Sequence, residues 1–329
     1  MNVASKGRWW VSLLILGVFA VALGCTAEEG SEQNDTVHGA EVAQDGLSPD
    51  GASETELDEA SGPMRVLVVF DTLGFTEVGE DGTVPGFNLD GVVSGEDDET
   101  TCGQPDHISP EGVEGIDNQL AELVPLFELF GIGAAAAYIQ SAIEEGGLLI
   151  LLQVDGVDDL ENDDEVTVMV RTGAGEPLLG TDGKLLSGQT FHLHEETPDS
   201  FAQTAYIEDG VLHAGPFDAR LPVVVLGMQY ELTFYGTLLR AKWTYDGGLQ
   251  EGLLGGAATL DDLYGIGETA AADDKSVLPA IKAVVEGAGD LAPDDEGNCQ
   301  RVSAAMAFTG VSAFYFPDEP GVEPPESTR

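Results

Sequence analysis

The sequence predicts an α+β domain, mainly β, built as an antiparallel sheet or β-sandwich with packed helices and carried on an acidic flexible tether. Three observations predict it. Short apolar runs crowd the middle and end of the chain, with turn dipeptides such as Asp182-Gly183, Asp209-Gly210 and Asp246-Gly247 between or beside them. The helix-like stretches come in blocks and do not alternate one for one with strands, which argues against βαβ repeats. The 43 Gly and 16 Pro indicate many turns and short elements, while a hydrophobic fraction of 43% suffices for a core.

The chain opens with Lys6 and Arg8, followed by residues 9–23, which are apolar or small apart from Ser12. A run of about 15 such residues is too short to span a bilayer comfortably and has the plan of a secretory signal. It ends in Ala22-Leu23-Gly24-Cys25. That stretch resembles the lipobox of bacterial lipoproteins, with Ala22 where Leu or Val is commoner. The resemblance implies a signal peptide over 1–24, cleavage before Cys25 and a diacylglycerol on the Cys25 sulfur. Two acyl chains suffice for stable membrane anchoring. Thr26 is not an acidic sorting residue, so the same analogy implies the outer membrane, with the domain on its periplasmic or surface side. An ordinary signal cleaved near Gly24, or an uncleaved anchor, is the alternative.

Residues 25–62 read as a disordered tether. They are rich in Glu, Asp, Ser, Gly and Thr, hold almost no large apolar residue and carry no Lys or Arg. Such a segment cannot bury enough surface to offset its ordering entropy; as a coil it reaches roughly 35 Å. Residues 63–317 form the globular domain, and 318–329, rich in Pro and Glu, a loose tail. Within the domain, 64–70 reads as a strand buried on both faces and 71–115 as a long irregular region punctuated by Gly, Asp and Pro. Helical periodicity over 116–130 follows, with Asp117 or Asn118 as N-cap and Pro125 as a kink or restart. The Ala-rich stretch 134–145 reads as a second helix, ended by Gly146-Gly147. Strands are expected at 148–154, 165–171, 189–194, 202–208, 211–214, 221–228, 229–235 and 238–245. Helical segments follow at 260–264 and 276–286, and 301–316 returns as one long strand or two short ones.

Charge excludes some partners. With Lys6 and Arg8 gone, 10 basic residues face 60 acidic ones, and no Lys or Arg lies between Arg65 and Arg171. Such a chain repels nucleic acid and anionic lipid heads, attracts cations and gains stability when salt relieves its self-repulsion. Cysteines are few. With Cys25 assigned to lipid, Cys102 and Cys299 remain, and an exported pair is most simply one disulfide. Two free thiols are the alternative. A bridge would tie the early and late parts of the domain together.

Several constellations suggest chemistry. Asn88, Asp90, Asp97, Asp98, Asp106 and Asp117, with nearby Glu99, Glu111 and Glu114, supply the oxygen ligands that calcium requires on a flexible loop. Asn88-Leu89-Asp90-Gly91 copies the middle of an EF-hand loop, but Gly86 occupies its first position and Asp97 its last, so it is no true EF-hand. The plainer reading has Asp117 as a cap and the rest as solvated turns. A second acidic run from Asp155 to Glu165 reads as a hairpin loop between strands. On a strand, His192 and His194 share a face and, with His213, offer imidazoles to a transition metal; exposed strand-end histidines are the plainer reading. Gly131-Ile132-Gly133-Ala134-Ala135-Ala136 fits GxGxxA, yet Pro125 and Glu128 spoil the strand that a dinucleotide fold needs before it. There is no GxSxG elbow, P-loop, HExxH or Cys–His nucleophile pair. The expectation is a membrane-anchored, non-enzymatic binding or structural surface module with calcium as a stabilising ion and a protein or glycan ligand of unspecified kind. The alternative is a metal- or carboxylate-dependent hydrolase of the cell envelope.

Overall fold

A computed structural model describes residues 63–95, 102–129, 135–194, 199–225, 228–271 and 275–317. The signal, the tether with Cys25, the tail, residues 131–134 of the Gly131 motif, and Asp97 and Asp98 lie outside the described residues. In chain order the elements are β1 (Met64–Phe75), β2 (His107–Ile108), β3 (Glu114–Ile116), α1 (Leu120–Leu129), α2 (Ala135–Glu144), β4 (Ile150–Val157), β5 (Thr167–Ala174), β6 (Gln189–Leu193), β7 (Ser200–Ala202) and β8 (Ala205–Glu208). They continue with β9 (Val211–Val225), β10 (Met228–Trp243), β11 (Leu249–Thr259), α3 (Leu260–Ala270), α4 (Leu278–Gly287), β12 (Leu291–Pro293) and β13 (Cys299–Tyr315).

The fold is mainly β, as the composition and turn pattern predict, but the sheet does not lie open. β1 pairs antiparallel with β4, β4 with β5, and β5 with β7. β7 and β8 form one interrupted strand, whose second half pairs with β9. From there β9 pairs with β10, β10 with β11, β11 with β13, and β13 returns to β1, every step antiparallel. The pairings therefore close into a ring of eight strands, a size whose interior side chains just fill. β6 adds across the ring, parallel to the end of β13 and antiparallel to β5.

Alternation explains the two faces. Along β9 and β10, Leu212, Ala214, Leu239 and Ala241 are buried while Glu208, Arg220, Glu231 and Lys242 of β8–β10 stand exposed. Charged outward positions are the reverse of the apolar band of a barrel set in lipid. The interior is packed: Phe70 stacks on Phe308 with ring centroids 4.2 Å apart, against Val68, Leu152, Leu254 and Met306. Gly252 faces Phe308 so closely that a Cβ there would lie 2.6 Å from its ring. α2 closes one end, where Ile139 and Leu148 meet Leu73, Leu221, Leu232 and Phe234 around an apolar void of about 10 Å³, no larger than one water. No helix among the described residues is long and apolar enough to cross a membrane.

Two expected strand pairs, 211–214 with 221–228 and 229–235 with 238–245, are single long strands, β9 and β10, each continuing through Gly or Pro at a register shift. β11 was not expected at all. Its Gly252, Gly255 and Gly256 weaken any strand pattern, yet each lets another group approach: Phe308, Phe87 and Thr237 in turn. Thr259 caps α3 by accepting from the Asp262 N–H, and Gly267 lets α3 meet Ile281 of α4.

Candidate functional site

Residues 76–95 and 102–118 form a strap over the outer face of the barrel at β11 and β13. Little regular structure holds it. Phe87 bridges to Asp117 and packs its ring on Gly255, and the β2–β3 hairpin folds back so that the Val84 N–H reaches the Ile108 carbonyl. A buried polar cluster sits at the strap's end. Asn118 is fully buried: its amide donates to Thr76 Oγ1 (2.6 Å) and the Pro85 carbonyl (2.8 Å), and its oxygen accepts from the Ala305 N–H of β13 (3.1 Å). The Gln119 N–H donates to Ser303 Oγ at 2.8 Å. Ser303 in turn donates its N–H (2.8 Å) and its hydroxyl to the Asp290 carboxyl. One more clamp is covalent: Cys102 is disulfide-bonded to Cys299 at the start of β13.

Carboxyl groups converge at this clamp. Asp117 accepts from the Leu89 N–H at 2.6 Å and from the Asp90 N–H at 3.4 Å. Asp106 accepts from the Ser94 N–H at 2.6 Å. Burial, with the like charges of Asp90, Asp106 and Asp290, pushes the Asp117 carboxyl up to about 7. Burial likewise pushes Asp290 up to about 7, against the opposing pull of its Ser303 hydrogen bonds. Asp106 is raised by burial and by Asp90. His107 beside it is pushed down by burial, opposed by Glu122 and Asp106.

Of the six residues expected to form a calcium loop, the structure thus brings Asp90, Asp106 and Asp117 into one electrostatic neighbourhood. Asn88 stays in its own turn, accepting from the Gly91 N–H and donating to the Val92 carbonyl. The carboxylates of Asp90, Asp106 and Asp117 serve backbone N–H groups. Among the described residues, no group of three or more His, Cys, Asp or Glu is arranged to hold a metal ion. Asp117 is also not the simple cap expected of it: its carboxyl accepts from the Leu89 N–H, and the Gln119 N–H just before α1 meets Ser303.

The histidines stand on separate parts of the ring. His192 lies on β6 and stacks on Phe316 (centroids 4.0 Å), with His194 just beyond the same strand. His213 lies on β9 and stacks on Tyr206 of β8 (4.8 Å), beside Arg240 of β10. Burial lowers its affinity for a proton. A second buried polar group sits at β5, where Arg171 makes a bidentate pair with Asp199 (both bonds 2.9 Å) and reaches Gln153.

Asp290 and Ser303 are the members of the strap clamp that sequence reasoning missed. The only signal was a single hydroxyl in the apolar run from Val302 to Phe308, and an Asp directly after a Gly-Ala-Gly helix end. Comparison with protein-family models, with curated proteins and with solved structures finds no match to this chain.

Proposed function

We propose that this protein is exported and held to a membrane by lipid on Cys25, and that its barrel serves outside the cytosol as a rigid, non-enzymatic binding or structural body. The observation that carries the reading is the N-terminal series of Lys6 and Arg8, an apolar run of about 15 residues, and Gly24-Cys25. Two features support it. The Cys102–Cys299 disulfide is a bond type that persists mainly in oxidising compartments. The barrel interior is filled with side chains around Phe70 and Phe308, so a partner of this body meets its loops and outer face. The strong negative charge disfavours nucleic acid and anionic lipid as those partners.

The test is fractionation of cells expressing the full chain and a Cys25→Ser variant, with a radiolabelled fatty acid in the medium. The reading expects label and membrane partitioning in the first and neither in the second. Equal membrane partitioning of both, or no label in either, contradicts it.

A further inference from the structure

The chain between β5 and β6 holds apolar side chains out in water. Residues 177–188 fold as a short hairpin arm: Leu179 bridges to Leu185, and the Leu186 N–H donates to the Leu178 carbonyl at 3.0 Å. Gln189 pins the arm, accepting from the Leu178 N–H (2.5 Å) and donating to the carbonyls of Leu178 (3.0 Å) and Leu186 (2.6 Å). Leu185 is buried, while Leu178 is 66% exposed and Leu179 and Leu186 stand exposed beside it. The end of the arm is held to β13, where the hydroxyls of Ser187 and Ser312 share a hydrogen bond (2.8 Å) and the Gly188 N–H reaches the Ser312 carbonyl (2.7 Å). Two more apolar groups meet at Ser312. Phe314, 60% exposed, stands two residues further along β13 and so on the same face. The β10–β11 turn carries a fully exposed Tyr245, and its Gly247 lies against Ser312, whose Cβ would be 3.9 Å from a side chain placed there. Exposed leucines scattered singly need no explanation, but a contiguous group of this kind marks a contact surface.

We propose that this patch docks on the surface of the bilayer that holds Cys25, so that the barrel lies against the membrane on one side. The inference rests on the lipid-anchor reading above. Connectivity favours a lipid surface as the occupant. The chain from Cys25 enters the barrel at Met64, itself exposed. Val68 pairs antiparallel with Ser312, so past that pair β13 runs toward the start of β1, and Met64 to Val68 spans roughly 13 Å of strand. Tether length acts in the same direction. Residues 25–62 as a coil reach roughly 35 Å, and a flexible linker converts docking into an intramolecular step with an effective concentration on the order of mM. A patch too small to hold a free protein on lipid then suffices. The chemistry agrees, because leucine and aromatic side chains are the ones that bury at the boundary of headgroups and acyl chains. Glu176, Asp182, Lys184 and Asp246 are the exposed charges beside the patch. Mostly negative, they suit the ammonium groups of zwitterionic headgroups and disfavour anionic ones. A second copy of the chain brings the same strong negative charge and is repelled.

The test uses the chain of residues 25–329. With Cys102 and Cys299 bridged, Cys25 is its remaining thiol, and it is coupled to a maleimide phospholipid in vesicles of phosphatidylethanolamine and phosphatidylcholine. The anchor is thus supplied chemically, so failure here is distinct from failure of acylation in cells, which the Cys25→Ser fractionation reads. Tryptophan is placed in the patch by Phe314→Trp or Tyr245→Trp, and away from it by Lys282→Trp on α4; the emission of buried Trp243 in the unsubstituted chain is subtracted. The vesicles carry bromine on their acyl chains, which quenches a Trp only where it reaches them. The proposal expects quenching and a blue shift at positions 314 and 245, neither at 282, and loss of the quenching at 314 when Leu178→Glu and Leu186→Glu are added. Absence of quenching at 314 or 245, equal quenching at 282, or quenching that survives the two Glu substitutions overturns it. So does a blue shift without quenching, which would mean that a second copy or the chain's own tail covers the patch.

Discussion

Replacing Asn118 by Ala tests whether buried polar groups, more than apolar contact, hold the strap on the barrel. Asn118 is 0% exposed and makes three hydrogen bonds, at 2.6, 2.8 and 3.1 Å, to Thr76, Pro85 and Ala305. Each is worth about 1 kcal/mol net. Truncation also strands the Ala305 N–H in the protein interior, at a further cost of about 1–3 kcal/mol. The Pro85 carbonyl keeps a second donor, Thr76 Oγ1 at 3.2 Å, so it adds little. The sum is about 4–6 kcal/mol, a large share of the stability of an ordinary domain. Urea unfolding followed by fluorescence of Trp243, the single Trp after Trp10, measures it. Trp243 is 8% exposed in the folded barrel, so its emission reports loss of the core. Asn298→Ala, in an exposed turn bonded to Asp294, serves as control and loses well under about 1 kcal/mol. A loss below about 1 kcal/mol for Asn118→Ala refutes the reasoning, because the strap would then rest on other contacts.

Stability follows pH in a definite direction. Asp117 and Asp290 bind protons more tightly folded than unfolded, so their contribution is complete below about 4 and is lost as pH rises through about 7. Asp81, Asp163, Asp246 and Asp294 are shifted down and act in the opposite sense at lower pH, while His107 and His213, lowered from 6.5, oppose the two carboxyls within the interval from pH 5 to 8. Melting at constant ionic strength therefore gives a higher Tm near pH 5 than near pH 8; a Tm that climbs over that interval contradicts the assignment. Replacing Cys102 and Cys299 together by Ser removes a cross-link spanning 197 residues. The chain-entropy estimate for such a loop is about 5 kcal/mol, and measured losses commonly fall below it. Unfolding in urea checks this, and unchanged stability would show that the bridge constrains nothing. Gly252→Ala pushes a Cβ to 2.6 Å from the Phe308 ring and lowers stability by about 1–3 kcal/mol through overpacking. A neutral outcome would mean that the interior has slack.

The mainly β class, both early helices and the disulfide partners were legible because each has a local signature: alternation, an Ala-rich run, a lone cysteine pair. Ring closure was not. It depends on β13 returning to β1 across more than 200 residues, and nothing local in Val68 or Ser312 announces that they pair. β11 was hidden for the opposite reason. Its glycines look like loop, and they suit a strand only because Phe308 and Phe87 occupy the space their side chains would take. The acidic cluster was half legible. Asp90, Asp106 and Asp117 stand out in an Asp-rich region, but Asp290 joins them through a chain reversal that places α4 and β12 beside the strap. Composition suggested cation ligands there. In the structure the carboxyls of Asp90, Asp106 and Asp117 accept backbone N–H groups.

The account of where this protein works turns on the chemistry of Cys25. Intact mass analysis of the protein extracted from membranes, followed by sequencing of its N-terminal peptide, is the most direct test. A chain beginning at Cys25 with a diacylglycerol adduct on its sulfur is the predicted result. A chain that retains residues 1–24, or one cleaved elsewhere with no acyl group, contradicts the account.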